Sequence, residues 1–318
     1  MEMNMDKDID IDRCLEIKII EDLAAHLKSV MKERQISFTD EAEGVSVVFE
    51  YLNATEKWIT QRPRQVYIST ELQEKIHRKQ YYENEKVEEA EEINRLIDYF
   101  KNLFVQGKNI NNHLSSQIYT SKRQDMLFNS WNVKHIHLND KEAQSKSAMK
   151  KNRSGWLLFC IVKQEKVFFL DVRPHPKKEE FSSYSLLKII HDNHWMSEIG
   201  FEEMGHNYVP YSIEPQITDD NILYQIYNDF RGNVAFDFEG HGYMCLRGIV
   251  STGDKVDSSF YINQLVKCIR ECPYTIEEYR GFVPDASNTG DGNIKFEKDG
   301  ELITYNLKID RINESFRG

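Results

Sequence analysis

The feature that most constrains the fold is a β-hairpin pattern in the middle of the chain. Two apolar runs rich in β-branched and aromatic residues, 156–162 and 167–172, are separated by a short polar turn. Pro174 and Pro176 end the second run, because proline has no N–H to donate to a neighbouring strand. The pattern predicts two long antiparallel strands, and therefore a sheet at the centre of the molecule.

Helical and extended patterns follow one another on both sides of this hairpin. The spacing of apolar residues predicts helices over 21–34 and over the Glu-rich segment 83–104. The run 133–138 alternates with period two, as a strand does, and two β-rich runs at 15–20 and 45–51 are also predicted as strands. The fold class predicted is α+β, with a central antiparallel sheet, flanking helices and a helical N-terminal region.

A chain of 318 residues is long enough for two domains. Gly107 follows the long acidic helix and is the type of residue that ends helices, so we place a boundary there. The prediction is an N-terminal α/β region, 1–107, that carries the acidic helix. The remainder, 108–318, is a histidine-rich α+β region and the candidate catalytic domain.

The composition limits the kinds of partner that the chain is expected to bind. A net charge of −11 opposes unspecific binding to nucleic acid or to an anionic membrane. No apolar run reaches the roughly 18 residues of a membrane span, and the acidic N-terminus lacks the apolar core of a secretory signal. Five scattered cysteines fit a reducing compartment. We therefore expect a cytoplasmic protein with no membrane partner.

Histidine is concentrated in one stretch, since six of the ten lie between residues 113 and 194. His135 and His137 share one face of the predicted strand, about 7 Å apart. His175 follows the second strand of the hairpin. Arg173, two residues earlier, is expected to project to the same side of the sheet as His175. We predict that these four side chains converge in one cleft and carry the catalytic chemistry.

Basic residues flank the histidines although the chain as a whole is acidic. The candidates for substrate binding are Lys134, Lys146, Lys150, Lys151 and Arg153. Cations beside imidazoles suit an anionic substrate, and an arginine suits a phosphate in particular. The sequence therefore predicts RNA or another anionic molecule as the substrate.

Three functions fit these residues. In the first, one histidine removes a proton from a ribose 2′-hydroxyl and another protonates the leaving oxygen, with no metal or other cofactor. In the second, His135 and His137 bind a metal ion together with Asp171 or His175, and the ion activates water. In the third, the chain is not catalytic, and the helix at 83–104 contacts a protein partner.

The stretch 132–178 resembles the central sheet of RelE-type mRNA interferases. That family carries a basic residue before a twisted antiparallel hairpin and further basic or histidine residues at its end, and Arg153, Arg173 and His175 occupy those places here. The resemblance implies metal-independent RNA cleavage without a cofactor. It also implies a toxin or phage-defence setting.

Overall fold

The computed structural model of the protein describes most of the chain. The described residues are 5–82, 86–121, 126–141, 145–175, 183–203, 217, 219–223, 225, 235–238, 241–245, 256–284 and 292–306. They form two compact units. Unit 1 comprises 1–55, 119–122 and 257–318, and unit 2 comprises 56–118 and 123–256.

Helices dominate the N-terminal part of the chain, as predicted. They are α1 (Met5–Glu33), α2 (Val45–Thr55), α3 (Thr70–Arg78), α4 (Val87–Gln106), α5 (Met126–Trp131), α6 (Lys146–Lys151), α7 (Tyr184–Asp192) and α8 (Val256–Arg270). Short 3₁₀ turns lie at Asn111–His113, Ser116–Tyr119 and Met196–Ile199. None of the helices in the described ranges is both long enough and apolar enough to span a bilayer.

The strands form three sheets within the described residues. They are β1 (Gln65–Ile68), β2 (Val133–His137), β3 (Trp156–Val162), β4 (Lys166–Pro174), β5 (Phe201–Glu203), β6 (Ala235–Phe238), β7 (His241–Cys245), β8 (Tyr279–Pro284), β9 (Gly292–Lys298) and β10 (Glu301–Asn306). Their orders are β1-β4-β3-β2, β5-β7-β6 and β10-β9-β8. The predicted α+β class is confirmed, and β4, β3 and β2 are antiparallel as expected, while β1 adds a parallel strand.

Unit 1 is built on α1. Its apolar residues recur every four positions on one face and pack with α2, α8 and β9; the buried set includes Leu15, Ile19, Leu23, Leu27, Val47, Val48, Tyr51, Leu265, Ile294 and Phe296. The strands predicted at 15–20 and 45–51 are wrong, because both segments are helical. In each of them, residues at helical spacing are buried, whereas Ile17, which alternation would place inside, is 49% exposed.

Unit 2 has helices on both faces of its four-stranded sheet. On one face, α4 lies against β1 and places the Phe104 ring 5.7 Å from that of Phe169 on β4. On the other face, α5 and α7 cover β2, β3 and β4 with Trp131, Leu187 and Ile190. The alternation of side chains along the strands therefore decides which helix layer each residue meets.

The boundary predicted at Gly107 lies inside unit 2. Gly107 does end α4, with a φ of +67°. A Cβ there would lie 2.5 Å from the backbone carbon of Arg62 and from the nitrogen of Pro63. The glycine thus permits the chain at Arg62 and Pro63 to pass close to the end of α4.

Candidate functional site

Three imidazoles are neighbours in the unit 2 sheet, with His137 next to both of the others. The ring centroids of His135 and His137 are 6.3 Å apart, and those of His137 and His175 are 6.0 Å apart. The His137 and His175 rings are stacked, with an interplanar angle of 23°. We call these three residues the histidine row. The structure thus brings together the three histidines that the sequence places on two different strands.

A β-bulge on β4 puts His175 on the face that carries the other two. His135 pairs with Phe159, and Phe159 pairs with Asp171, but the next pair joins Cys160 to Phe169, so Leu170 is an extra residue. An extra residue reverses the alternation beyond it. Without it, residues 171, 173 and 175 would share the face of Phe169, away from His135 and His137. The bulge therefore makes the histidine row possible.

His137 is the buried member of the row, and it is 3% exposed. Burial is the largest cause that lowers its pKa to about 4; the charges of His135, His175 and Arg153 act in the same direction, and a hydrogen bond with the Ser154 backbone opposes them. Its Nδ1 is buried and has no hydrogen-bond partner among the described residues. His137 is therefore neutral at physiological pH, and its unpartnered nitrogen is shielded from solvent.

His175 is the exposed member. Its backbone N–H donates to the Gly155 carbonyl at 2.7 Å, which continues the β3–β4 ladder by one residue and fixes where the chain leaves the sheet. Arg153 and Gly155, just before β3, are exposed as well. Arg153 is close enough to contribute to the lowered pKa of His137. An exposed imidazole and an exposed guanidinium thus flank the buried, neutral one.

Three of the other predicted cations, Lys146, Lys150 and Lys151, lie on α6. Ser145 caps this helix by accepting a hydrogen bond from the Ala148 N–H at 3.2 Å, and Met149 anchors it by burial. Lys150 and Lys151 are exposed in its last turn, and Lys146 is half-buried in its first. The helix ends directly before Arg153, so its exposed charges precede the histidine row along the chain.

Arg173 lies on the same face of the sheet as the histidine row, but its guanidinium is bonded within the fold. Its Nε donates to Asp171 Oδ2 at 2.7 Å, and its Nη1 donates to the hydroxyls of Ser183 and Ser185 at 3.0 and 2.7 Å. Ser183 is the N-cap of α7. The guanidinium therefore ties the end of β4 to the start of α7, and the phosphate-binding role predicted for it is not supported by these contacts.

Asp171 is also committed to structural contacts. Its carboxylate, 3% exposed, accepts from Lys75 Nζ on α3 at 2.7 Å, from Arg173 and from the backbone N–H of Val172. A carboxylate held by two cations makes a poor ligand for a further cation. Within the described ranges, no three His, Cys, Asp or Glu side chains are grouped as a metal site would require.

Lys134 is buried in the fold and does not face a substrate. Its ammonium donates to the backbone carbonyls of Glu56 and Lys57 at 2.7 and 3.0 Å and lies 3.9 Å from the centre of the Phe128 ring. A pocket of about 30 Å³ lies between Lys134 and His135. That volume holds one or two water molecules and is too small for a nucleotide.

Sequence reasoning misses two parts of this site. Gly155 is the first, and its signal is weak because a glycine before a strand is common. The second is the network of Lys75, Asp171, Arg173 and the α7 N-cap, whose members are far apart in sequence. The serines at 182 and 183 do predict a helix start, and that signal identifies one end of the network.

The chain was compared with models of protein families, with curated proteins and with solved structures, and none of them matches it. The functional conclusion therefore depends on the geometry of the site.

Proposed function

We propose that this protein cleaves RNA by histidine acid–base chemistry, without a metal ion. The observation that carries the proposal is the pair formed by His137, which is buried and neutral, and His175, which is exposed and stacked on it. Acid–base catalysis requires two groups in different protonation states at one pH, and different environments provide them. Arg153 beside the pair adds a cation for a phosphate.

The residues divide the reaction as follows. His137 accepts the proton of a ribose 2′-hydroxyl, whose oxygen attacks the adjacent phosphorus. Because the unpartnered Nδ1 of His137 is buried in the free protein, this step requires the ring to become exposed when the substrate binds. The bond between phosphorus and the 5′-oxygen breaks, and His175 gives that oxygen a proton. Arg153 stabilises the charge that develops on the phosphoryl oxygens. The products are a 2′,3′-cyclic phosphate and a 5′-hydroxyl. No atom changes its oxidation state, so the reaction needs no redox cofactor.

His135 has a positioning role in this scheme. It is half-buried, and its charge is one of the causes that lower the pKa of His137. It therefore helps to keep the proton acceptor neutral.

The metal-dependent alternative is less well supported. It needs Asp171 or His175 as a third ligand to the ion held by His135 and His137. Asp171 is bonded to Lys75 and Arg173, and the rings of His137 and His175 are stacked on each other. The cation of Arg153 beside His137 further disfavours a bound metal.

The biological setting is part of the proposal. Arg153 and His175, two of the residues that resemble the RelE-type pattern, flank His137, whereas Arg173 is tied to α7. A cytoplasmic nuclease in a toxin or phage-defence system is the setting that the resemblance favours.

The test is an RNA-cleavage assay with a strong chelator present. We expect the wild type to cleave a mixed-sequence RNA, and we expect His175→Ala, purified identically, to be slower by roughly a hundredfold or more. His77→Ala, on the exposed face of α3, is the matched control and keeps full activity. Equal rates for the wild type and His175→Ala, or no cleavage by either, refute the proposal.

A further inference from the structure

The end of the sheet where β3 begins and β4 ends is exposed. Arg153, Gly155, Pro174 and His175 are exposed there, and Trp156 is half-buried. We call these five residues the strand-end surface. This surface adjoins the histidine row. Its shape therefore limits which molecules can approach His137 and His175.

Open space lies above Gly155. A Cβ built on this residue would have no atom within 4 Å, and Gly155 is not among the residues with positive φ. Neither a tight turn nor a close approach therefore requires a glycine here. By the alternation of β3, Gly155 faces the same side as Leu157, which pairs with His137. The open space is thus on the side of the histidine row and next to His175.

Trp156 faces the other side of the same sheet end. It pairs with Pro174, and its carbonyl accepts from the Leu138 N–H at 3.0 Å. The indole Nε1 donates to Glu89 on α4 at 2.8 Å, and the Tyr81 ring meets it at 67°. Both contacts fix the indole, and neither is a stacked one. A fixed, half-exposed indole is a platform on which a base can stack.

We infer that the substrate of the histidine row is single-stranded RNA, with one phosphate in the space above Gly155 and a neighbouring base stacked on Trp156. The two positions lie on opposite faces of the sheet and are separated only by the exposed strand ends. A flexible single strand can bend over that edge, whereas a stiff duplex cannot and has no unpaired base to offer. This inference rests on the proposed function and names its substrate class.

The experiment measures binding of a labelled 2′-deoxy oligonucleotide, which lacks the attacking hydroxyl, by fluorescence anisotropy at fixed salt. We expect the single strand to bind at least tenfold more tightly than a blunt duplex of the same sequence. Trp156→Ala should weaken single-strand binding by about tenfold, the usual effect of removing one stacking partner. Trp156→Phe should retain most of the affinity. Phe260→Ala, which removes an exposed aromatic ring from unit 1, should bind like the wild type.

Gly155→Leu keeps the test decisive if Trp156→Ala folds poorly. The open space accepts a larger side chain without a clash, so the variant should melt like the wild type yet lose at least tenfold in affinity. Equal affinity for the duplex, or unchanged affinity of both Trp156→Ala and Gly155→Leu, overturns the inference. Cleavage plays no part in this assay. A preference for the single strand together with failed RNA cleavage would refute the proposed function and leave this inference standing.

Discussion

The His175 ring stacks on the His137 ring, with the centroids 6.0 Å apart and the planes inclined by 23°. The first of these rings is exposed and the second is buried. Their meeting depends on the bulge at Leu170, which turns the end of β4 onto the face of His137. The two neighbouring imidazoles therefore differ in their access to solvent.

Burial of His137 should make the fold sensitive to acid. Its pKa in the folded protein is about 4, against about 6.5 in an unfolded chain. As the pH falls from 6.5 to 4, the unfolded chain takes up a proton that the folded protein refuses, so stability is lost across this window. The loss from this group amounts to roughly 3 kcal/mol. Urea unfolding at pH 7 and pH 4 measures it.

The matched comparison isolates the contribution of His137. His137→Gln should show a smaller fall in the free energy of unfolding between pH 7 and pH 4 than the wild type. His77→Gln, exposed on α3, should follow the wild type. If the wild type and His137→Gln lose the same stability over this range, His137 does not resist protonation.

The charge of His135 should be detectable in the titration of His137. Because His135 contributes to the lowered pKa of His137, His135→Gln should raise that pKa. It should remain below the ordinary histidine value, since burial is the larger cause. Titration of the histidine ring protons by NMR gives the result directly. An unchanged His137 titration in His135→Gln would remove His135 from its positioning role.

Two arginines near the site should behave in opposite ways. Arg153→Gln should weaken RNA binding with little change in stability, because an exposed charge contributes little to the fold. Arg173→Gln should destabilise the protein by roughly 1–3 kcal/mol, because Asp171 and the serines of the α7 N-cap lose a buried partner. Denaturant unfolding and oligonucleotide binding of both variants separate the two roles. A binding defect in Arg173→Gln at unchanged stability would restore the role predicted from sequence.

The α6 lysines should guide the substrate electrostatically. For single strands, each phosphate contact contributes roughly 0.7 to the slope of log affinity against log salt. The double variant Lys150→Glu/Lys151→Glu should bind more weakly at low salt and give a flatter slope. Lys101→Glu/Lys108→Glu, a pair of exposed lysines outside the site, is the control. Identical slopes for the wild type and the α6 variant would exclude these lysines from the binding surface.

Local patterns predict the core of this site well. The hairpin of β3 and β4, the strand β2 and the shared face of His135 and His137 follow from period-two alternation, which depends only on neighbouring residues. The same reasoning fails at α2, where a β-rich run is helical because its residues at helical spacing are buried in the core of unit 1.

The β-bulge at Leu170 and the bonding partners of Lys134 and Arg173 could not be predicted from sequence. Leu170 ends a run of four apolar residues in which no glycine or polar residue indicates an insertion. Lys134 binds carbonyls 77 and 78 positions away along the chain, and Arg173 binds the cap of the following helix. Whether a cation is buried or meets a substrate is decided by such distant partners, which a local pattern does not contain.

The ends of the RNA products test the central claim most directly. We expect a chelator-treated wild-type reaction to give 2′,3′-cyclic phosphate and 5′-hydroxyl ends, and a substrate with a single 2′-deoxy nucleotide to resist cleavage at that position only. His175→Ala, assayed in parallel, should give neither product at a comparable rate. Products with 5′-phosphate ends, or activity that the chelator abolishes and added zinc or manganese restores, would contradict histidine acid–base cleavage.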